Sequence, residues 1–372
     1  MTDTIGIYLH IPFCVSKCLY CNFYSKAFKA NDLCKYEQAL CNEIKLWGGR
    51  ISRPVSSVYF GGGTPTVMGG KAIAHILATV KSCFEVLPDA EITVEANPAD
   101  NLADDFKAMA ESGVNRISMG VQSVNKAELD MLGRRGTFEN AANAVDAAKS
   151  AGISNISLDI MLGLPGSNFE LLNNSINGIL SLNPQHISAY ILKLEEGTPL
   201  YKAQESLKLL NDDEIAEQYL YLCAKLEQNG FEHYEISNFA KPGFTAKHNT
   251  AYWQCREYLG IGPTAHSFLN GKRFYYTPGI YDFGGGNITD DGPGGTAEEF
   301  IMLSLRLNTG LNIKEFEKRF GNPLPESILL KAEEYEKHGL CTVKDSIVLT
   351  NKGMLVSNSI ISSFLEELNE NL

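Results

Sequence analysis

Between residues 5 and 192 the chain alternates short apolar runs with longer amphipathic ones. The short runs are IGIYLHI (5–11), SVYF (57–60), ITVEA (92–96), RISMGV (116–121), ISLDIML (156–162) and HISAYIL (186–192). Their length and β-branched content predict strands. The stretches 32–47, 69–84, 102–113 and 138–152 repeat apolar residues every three or four positions, which predicts helices. Strand followed by helix, six times over, predicts an α/β fold with a parallel sheet and helices outside it. Six units are too few to close an eight-stranded barrel, so an open, partial barrel or a doubly wound sheet is expected.

The pattern changes after that. A glycine-rich stretch, residues 277–296, breaks the periodicity and reads as a linker or surface loop. Residues 297–368 then read as a small helical domain. EEFIMLSLRL, NIKEFEKRF and ESILLKAEEYEKHG predict helices, GLCTVKDSIVLTNKG a hairpin, and a last helix follows. Three helices and a hairpin predict a winged-helix-like module. Such modules often bind DNA, but glutamates here match the lysines, so packing or substrate coverage is the expected role. The domains expected are a core (1–230), an extension (231–296) and the C-terminal module (297–372).

Polar residues gather where the predicted strands end. Gly61, Gly62, Gly63 and Thr64 follow the second strand, Glu95 and Asn97 end the third, Gln122 follows the fourth, and Asp159 interrupts the fifth. In parallel α/β folds reactive groups collect at the carboxyl ends of strands, so these residues predict one functional rim.

Composition narrows the class. The chain has 372 residues, 44% hydrophobic and 20% charged, as globular proteins do. No apolar run approaches the roughly 18 residues needed to cross a bilayer. The start, MTDTIGIYLHIPFC, lacks the basic and small-residue signature of a secretory signal, so a cytoplasmic location is expected. The net charge of −12 argues against nucleic acid or anionic lipid as a partner.

Nine cysteines in a reducing compartment are expected to be thiols, and six of them stand isolated, as packing residues do. The other three, Cys14, Cys18 and Cys21, are spaced C-x3-C-x2-C with no fourth nearby. Three thiolates would hold three irons of a cubane cluster and leave the fourth iron open. Burial as small apolar residues, or a zinc site completed by His10 or His75, are the alternatives.

Three further segments carry candidate chemistry. GGGTP (61–65) offers backbone that a small ligand can approach closely, though a tight turn would look the same. It lacks the ending of a phosphate-binding P-loop. Glu95, Gln122, Arg134 and Asp159 could line one cavity, with Arg134 holding a carboxylate; each could equally be an ordinary rim residue. Asp159 stands apart, because a carboxylate inside an apolar run needs a partner. KHNTAYW (247–253) sets an imidazole beside an amide and two large aromatics, a combination open to haem ligation or to simple packing.

Taken together, HIPFC and KCLYCNF (10–23), GGGTPT (61–66), VEANP (94–98), RISMGVQS (116–123), DIMLGLPG (159–166), YEISNFAKPG (234–243) and HNTAYW (248–253) resemble the radical SAM superfamily. Within it they resemble the HemW-type haem-chaperone group, relatives of oxygen-independent coproporphyrinogen III oxidase (HemN). The resemblance implies a partial (β/α)6 barrel. It implies a [4Fe–4S] cluster on Cys14, Cys18 and Cys21 and S-adenosylmethionine (SAM) chelating the open iron. Tyr8, Phe23, Gly62, Gly63, Thr64, Glu95, Gln122, Arg134 and Asp159 match SAM-contacting positions. Where the oxidase pattern has a fourth cysteine this chain has Phe23. That difference and the HNTAYW segment imply haem as cargo, passed to apo-haemoproteins such as respiratory ones. His248 is the implied haem ligand, with Asn249, Tyr252 and Trp253 as weaker candidates; a homodimer is also in view. The alternative is a radical enzyme that cleaves SAM and acts on a porphyrinogen, or transfers methyl groups. Two positions depart from the group's pattern: Gly136 stands where many relatives have histidine, and Asn22 where aspartate is common.

Overall fold

The computed structural model of the protein describes residues 4–99, 101–280 and 283–370. All six expected strands form: β1 (Ile5–Ile11), β2 (Val55–Gly62), β3 (Val86–Ala96), β4 (Arg116–Gln122), β5 (Asn155–Leu162) and β6 (His186–Ile191). They lie side by side in chain order and all pair in parallel. Ile5, Ile7, Leu9 and Ile11 bury one face of β1 and Gly6 and His10 the other, the near-continuous burial of a parallel strand covered on both faces. The crossovers are α1 (Ala30–Gly48), α2 (Gly70–Cys83), α3 (Ala103–Ser112), the pair α4 (Lys126–Met131) and α5 (Phe138–Ser150), and α6 (Phe169–Ser181). After β6 come α7 (Pro199–Lys202) and α8 (Asp212–Gln228). Polar caps start several of these helices: the side chains of Thr137, Asn168 and Asn211 accept from the backbone N–H groups of Asn140, Leu171 and Glu214.

The segment after α8 extends the sheet at both edges. β7 (Glu232–Glu235) and β8 (Asn238–Ala240) form a hairpin that pairs antiparallel beyond β6. After α9 (Lys247–Trp253) the chain crosses to the other edge, where β9 (Tyr258–Ile261) pairs in parallel with β1. β10 (His266–Leu269), β11 (Lys272–Tyr276) and β12 (Ile288–Pro293) follow as antiparallel neighbours. The glycine-rich stretch expected to be a linker therefore supplies a strand, β12; its residues 281 and 282 lie outside the described residues. These strands are short, and pairing rather than local pattern makes them strands.

The C-terminal part runs α10 (Ala297–Ser304), β13 (Leu311–Asn312), α11 (Ile313–Phe320), α12 (Glu326–Lys337), β14 (Cys341–Val343), β15 (Ser346–Leu349), α13 (Asn351–Leu355) and α14 (Ser357–Glu370). Its three strands make a separate small sheet, and β14–β15 is the expected hairpin. Phe300, Ile301, Phe316, Ile328, Ile347 and Phe364 form its core, which also takes in Cys255 and Phe268 from the preceding segment. Among the described residues no helix is long and apolar enough to cross a membrane.

Candidate functional site

The loop after β1 carries the three cysteines, and backbone bonds hold it at both ends. Lys26 N–H donates to Pro12 O at 2.7 Å, and Cys14 N–H donates to Lys26 O at 3.3 Å. The glycine loop after β2 pins the same segment: Gly63 N–H donates to Ile11 O at 2.8 Å and Thr64 N–H to Phe13 O at 2.7 Å. Only glycine fits at 63, since a Cβ there would stand 2.5 Å from the Phe13 carbonyl oxygen. Gly62 has φ +114° and lies against the His10 ring, where a Cβ would approach to 2.5 Å.

One cavity of about 330 Å³ opens at this rim. Cys14, Cys18 and Cys21 line it together with Gly62, Gly63, Thr64, Glu95, Gln122, Arg134 and Asp159, and Phe23 stands at its wall, 71% exposed. The three thiols are free and partly exposed. Cys14 Sγ is 3.7 Å from Thr64 Oγ1, and Arg134 Nη1 donates to Cys18 Sγ at 3.5 Å. Arg134 also donates to the Gly120 carbonyl. Burial pushes the Cys21 thiol pKa up. Among the described residues no three His, Cys, Asp or Glu side chains converge as a ready metal site.

The carboxylates of the cavity are set differently. Glu95 is engaged: Tyr59 OH donates to Oε1 at 2.8 Å and Gly62 N–H to Oε2 at 3.2 Å. Burial raises its pKa. Asp159 has one oxygen, Oδ1, with no hydrogen-bond partner, and burial raises its carboxyl to about 7. Gln122 Oε1 is likewise buried without a partner, and the residue sits at φ 71°, in the left-handed region. Such a conformation costs a residue with a side chain about 1–2 kcal/mol. Two unpartnered buried acceptors on residues that line one cavity are what a bound donor would satisfy.

Tyr8 does not line this cavity. Its hydroxyl donates to His10 Nδ1 at 3.0 Å, while His10 Nε2–H donates to the Tyr24 carbonyl at 3.1 Å. Burial lowers the His10 pKa to about 4, so the ring is neutral and tethers the end of the cysteine loop. His75, the other candidate zinc donor, pairs with Glu37 at 2.6 Å on the helical layer. Tyr190, at the end of β6, lines the cavity without having been singled out in the sequence; its place at a strand's carboxyl end was the available signal.

The haem candidates lie elsewhere. His248, on α9, is 1% exposed and packs between β1 and β2. Its Nδ1 shares a hydrogen bond with Ser57 Oγ at 2.8 Å and its Nε2 one with Tyr252 OH at 2.6 Å. The ring stacks on Tyr59 at 5.2 Å, and burial lowers its pKa to about 3. Ser57 precedes Gly62 by five residues on β2, which at about 3.3 Å per residue puts His248 roughly 16 Å from the rim along the strand. Both nitrogens of His248 are thus engaged and the ring is a core group, so ligation of haem there would require α9 to move. Asn249, Tyr252 and Trp253 are half-buried on the same helix.

Residues 8–177 match the family profile described as the radical SAM superfamily, and residues 296–356 match that of the HemN C-terminal domain. Heme chaperone HemW of Bacillus subtilis (strain 168) is 33% identical over 378 residues, spanning 97% of this chain and 99% of that protein. Heme chaperone HemW of Haemophilus influenzae is 34% identical over 385 residues, spanning 98% of each. Among solved structures, coproporphyrinogen III oxidase (HemN) from Escherichia coli, described as a radical SAM enzyme, superposes with a TM-score of 0.83. It is 23% identical, and the match covers 98% of this chain and 90% of that one, a likeness of fold. With that fold, and with identity above 30% along nearly the whole chain, the protein belongs to the HemW family of the radical SAM superfamily.

Proposed function

We propose that the cavity holds a [4Fe–4S] cluster on Cys14, Cys18 and Cys21 with SAM beside it, and that the chain carries haem to apo-haemoproteins. The observation that carries the cofactor reading is the meeting of three thiols, Glu95, Arg134 and two unpartnered acceptors in one cavity. The donor set fits. A single ion needs its ligands converged on one point, whereas a cubane takes each thiolate on a different corner, farther apart. When bound, such a cluster supplies a redox-active iron with a position open to SAM. Arg134 donates to the Cys18 sulfur and presents a fork to a carboxylate. Asp159 Oδ1 and Gln122 Oε1 accept from the ligand's N–H and O–H groups. The backbone of Gly62 and Gly63 lets the ligand lie close.

The haem reading is supported by relatives named heme chaperones across the whole chain and by Phe23 in place of a fourth cysteine. It assigns the iron no ligand at His248, whose release would require α9 to open. The test is anaerobic reconstitution with iron and sulfide, followed by iron analysis, SAM dialysis and haem titration. Roughly four irons per chain, lost in Cys14→Ala, and SAM binding that follows the iron are expected. A loaded chain that binds neither SAM nor haem would overturn the reading. Turnover of coproporphyrinogen III to protoporphyrinogen would replace the carrier with the oxidase.

A further inference from the structure

The carboxyl end of β6 borders a second cleft, about 370 Å³, that the cofactor site does not use. Its walls include Tyr190 and Ile191 of β6, Ile236 of the β7–β8 turn, Arg306 after α10, and Met354 and Leu355 of α13. Tyr190 also lines the cysteine cavity, so one aromatic side chain is common to both.

The lining here mixes polar and apolar side chains, and the apolar ones at its rim are open. β6 is buried from His186 to Ala189, yet Tyr190 is 42% and Ile191 41% exposed. Val356, between two residues of the cleft wall, is 43% exposed, and Phe23 stands on the wall of the neighbouring cavity. Exposed apolar side chains grouped around a cleft mark a surface that a ligand covers.

Among the described residues that line the cleft, one is charged, Arg306. Arg306 donates to Asn358 Oδ1 at 3.2 Å, and its guanidinium lies 5.7 Å from the centre of the Trp253 ring. The acid that acts on it is Glu235, whose own carboxyl burial raises to about 7. Arg306 keeps its charge and is only half-buried, so a carboxylate entering the cleft would meet a cation there.

We propose that this cleft seats a flat, apolar macrocycle bearing carboxylates, with one carboxylate on Arg306 and the macrocycle against Tyr190 and Ile191. It rests on the haem part of the proposed function and names the seat of that cargo. The occupant would touch the cysteine cavity through Tyr190.

The experiment titrates the full, anaerobically reconstituted chain with hemin and with hemin dimethyl ester, which lacks the free carboxylates, following the Soret band. Arg306→Gln should weaken hemin about tenfold or more, the worth of a charge-assisted hydrogen bond, and leave the ester nearly unchanged. Ile191→Glu, at a position 41% exposed, should weaken hemin by a similar factor by placing a carboxylate in the cleft. Both variants titrating like the parent would overturn this seat and leave haem carriage standing. A parent chain that binds no hemin would overturn the haem reading itself, and the seat with it.

Discussion

Replacing Asp159 with asparagine tests whether the cavity holds a carboxyl that the fold itself leaves unsatisfied. Oδ1 of Asp159 has no partner among the described residues, and burial outweighs the Ser188 hydrogen bond and the pull of Arg116 and Arg134, raising the carboxyl from 3.8 to about 7. A carboxyl with a raised pKa binds its proton more tightly folded than unfolded. Its contribution to stability is therefore full below about pH 4 and is lost as pH rises through about 7. A gap of about three pH units corresponds to about 4 kcal/mol at 1.36 kcal/mol per unit. Because Asp159 as a whole is only half-buried at the cavity wall, about half of that, roughly 2 kcal/mol, is expected. Asparagine does not titrate. The assay is urea unfolding of the reduced, cluster-free chain from pH 4 to pH 9, parent against Asp159→Asn. The difference in unfolding free energy, parent minus variant, should fall by about 2 kcal/mol between pH 4 and pH 8, leaving the variant the more stable above pH 7. Glu235, also raised to about 7, is present in both proteins and cancels. A difference that stays flat with pH would refute the reasoning, since the carboxylate would then be as well solvated folded as unfolded. The same variant, once loaded with iron, should bind SAM more weakly by dialysis.

Gly63→Ala puts a methyl against Phe13 backbone atoms that cannot rotate away; a loss of about 1–3 kcal/mol in thermal unfolding and a lower iron content after reconstitution are expected. His248→Ala removes a buried ring and strips Ser57 and Tyr252 of a partner, so chemical denaturation should show a loss of about 3 kcal/mol. The Soret spectrum of hemin bound to that variant should match the parent's; loss of the axial-ligand signature would restore His248 as the ligand. Phe23→Ala, at a 71% exposed position, should leave the melting curve within about 0.5 kcal/mol of the parent.

The six parallel strands are legible in the sequence because each is a dense apolar run, long enough to declare itself without neighbours. Part of the rim is legible too, since Glu95, Gln122 and Asp159 interrupt or end those runs where apolar residues would otherwise continue. The edge strands β7 to β12 are not: they are short, and β9 becomes a strand by pairing with β1 from the far end of the chain. Tyr8 illustrates a further limit. Its motif position groups it with the cavity, yet its hydroxyl is spent on His10, behind the cysteine loop.

By itself, then, the sequence determined the order of the six parallel strands and the helices between them, the spacing of the three cysteines and the residues held at strand ends, all of which are set by local pattern. Tertiary structure alone decided which of those groups have partners. Folding spends both nitrogens of His248 on Ser57 and Tyr252 and leaves Asp159 and Gln122 with an acceptor each unspent. The physical reason is that hydrogen bonding and desolvation depend on what surrounds a group in space, and residues far apart along the chain supply those surroundings.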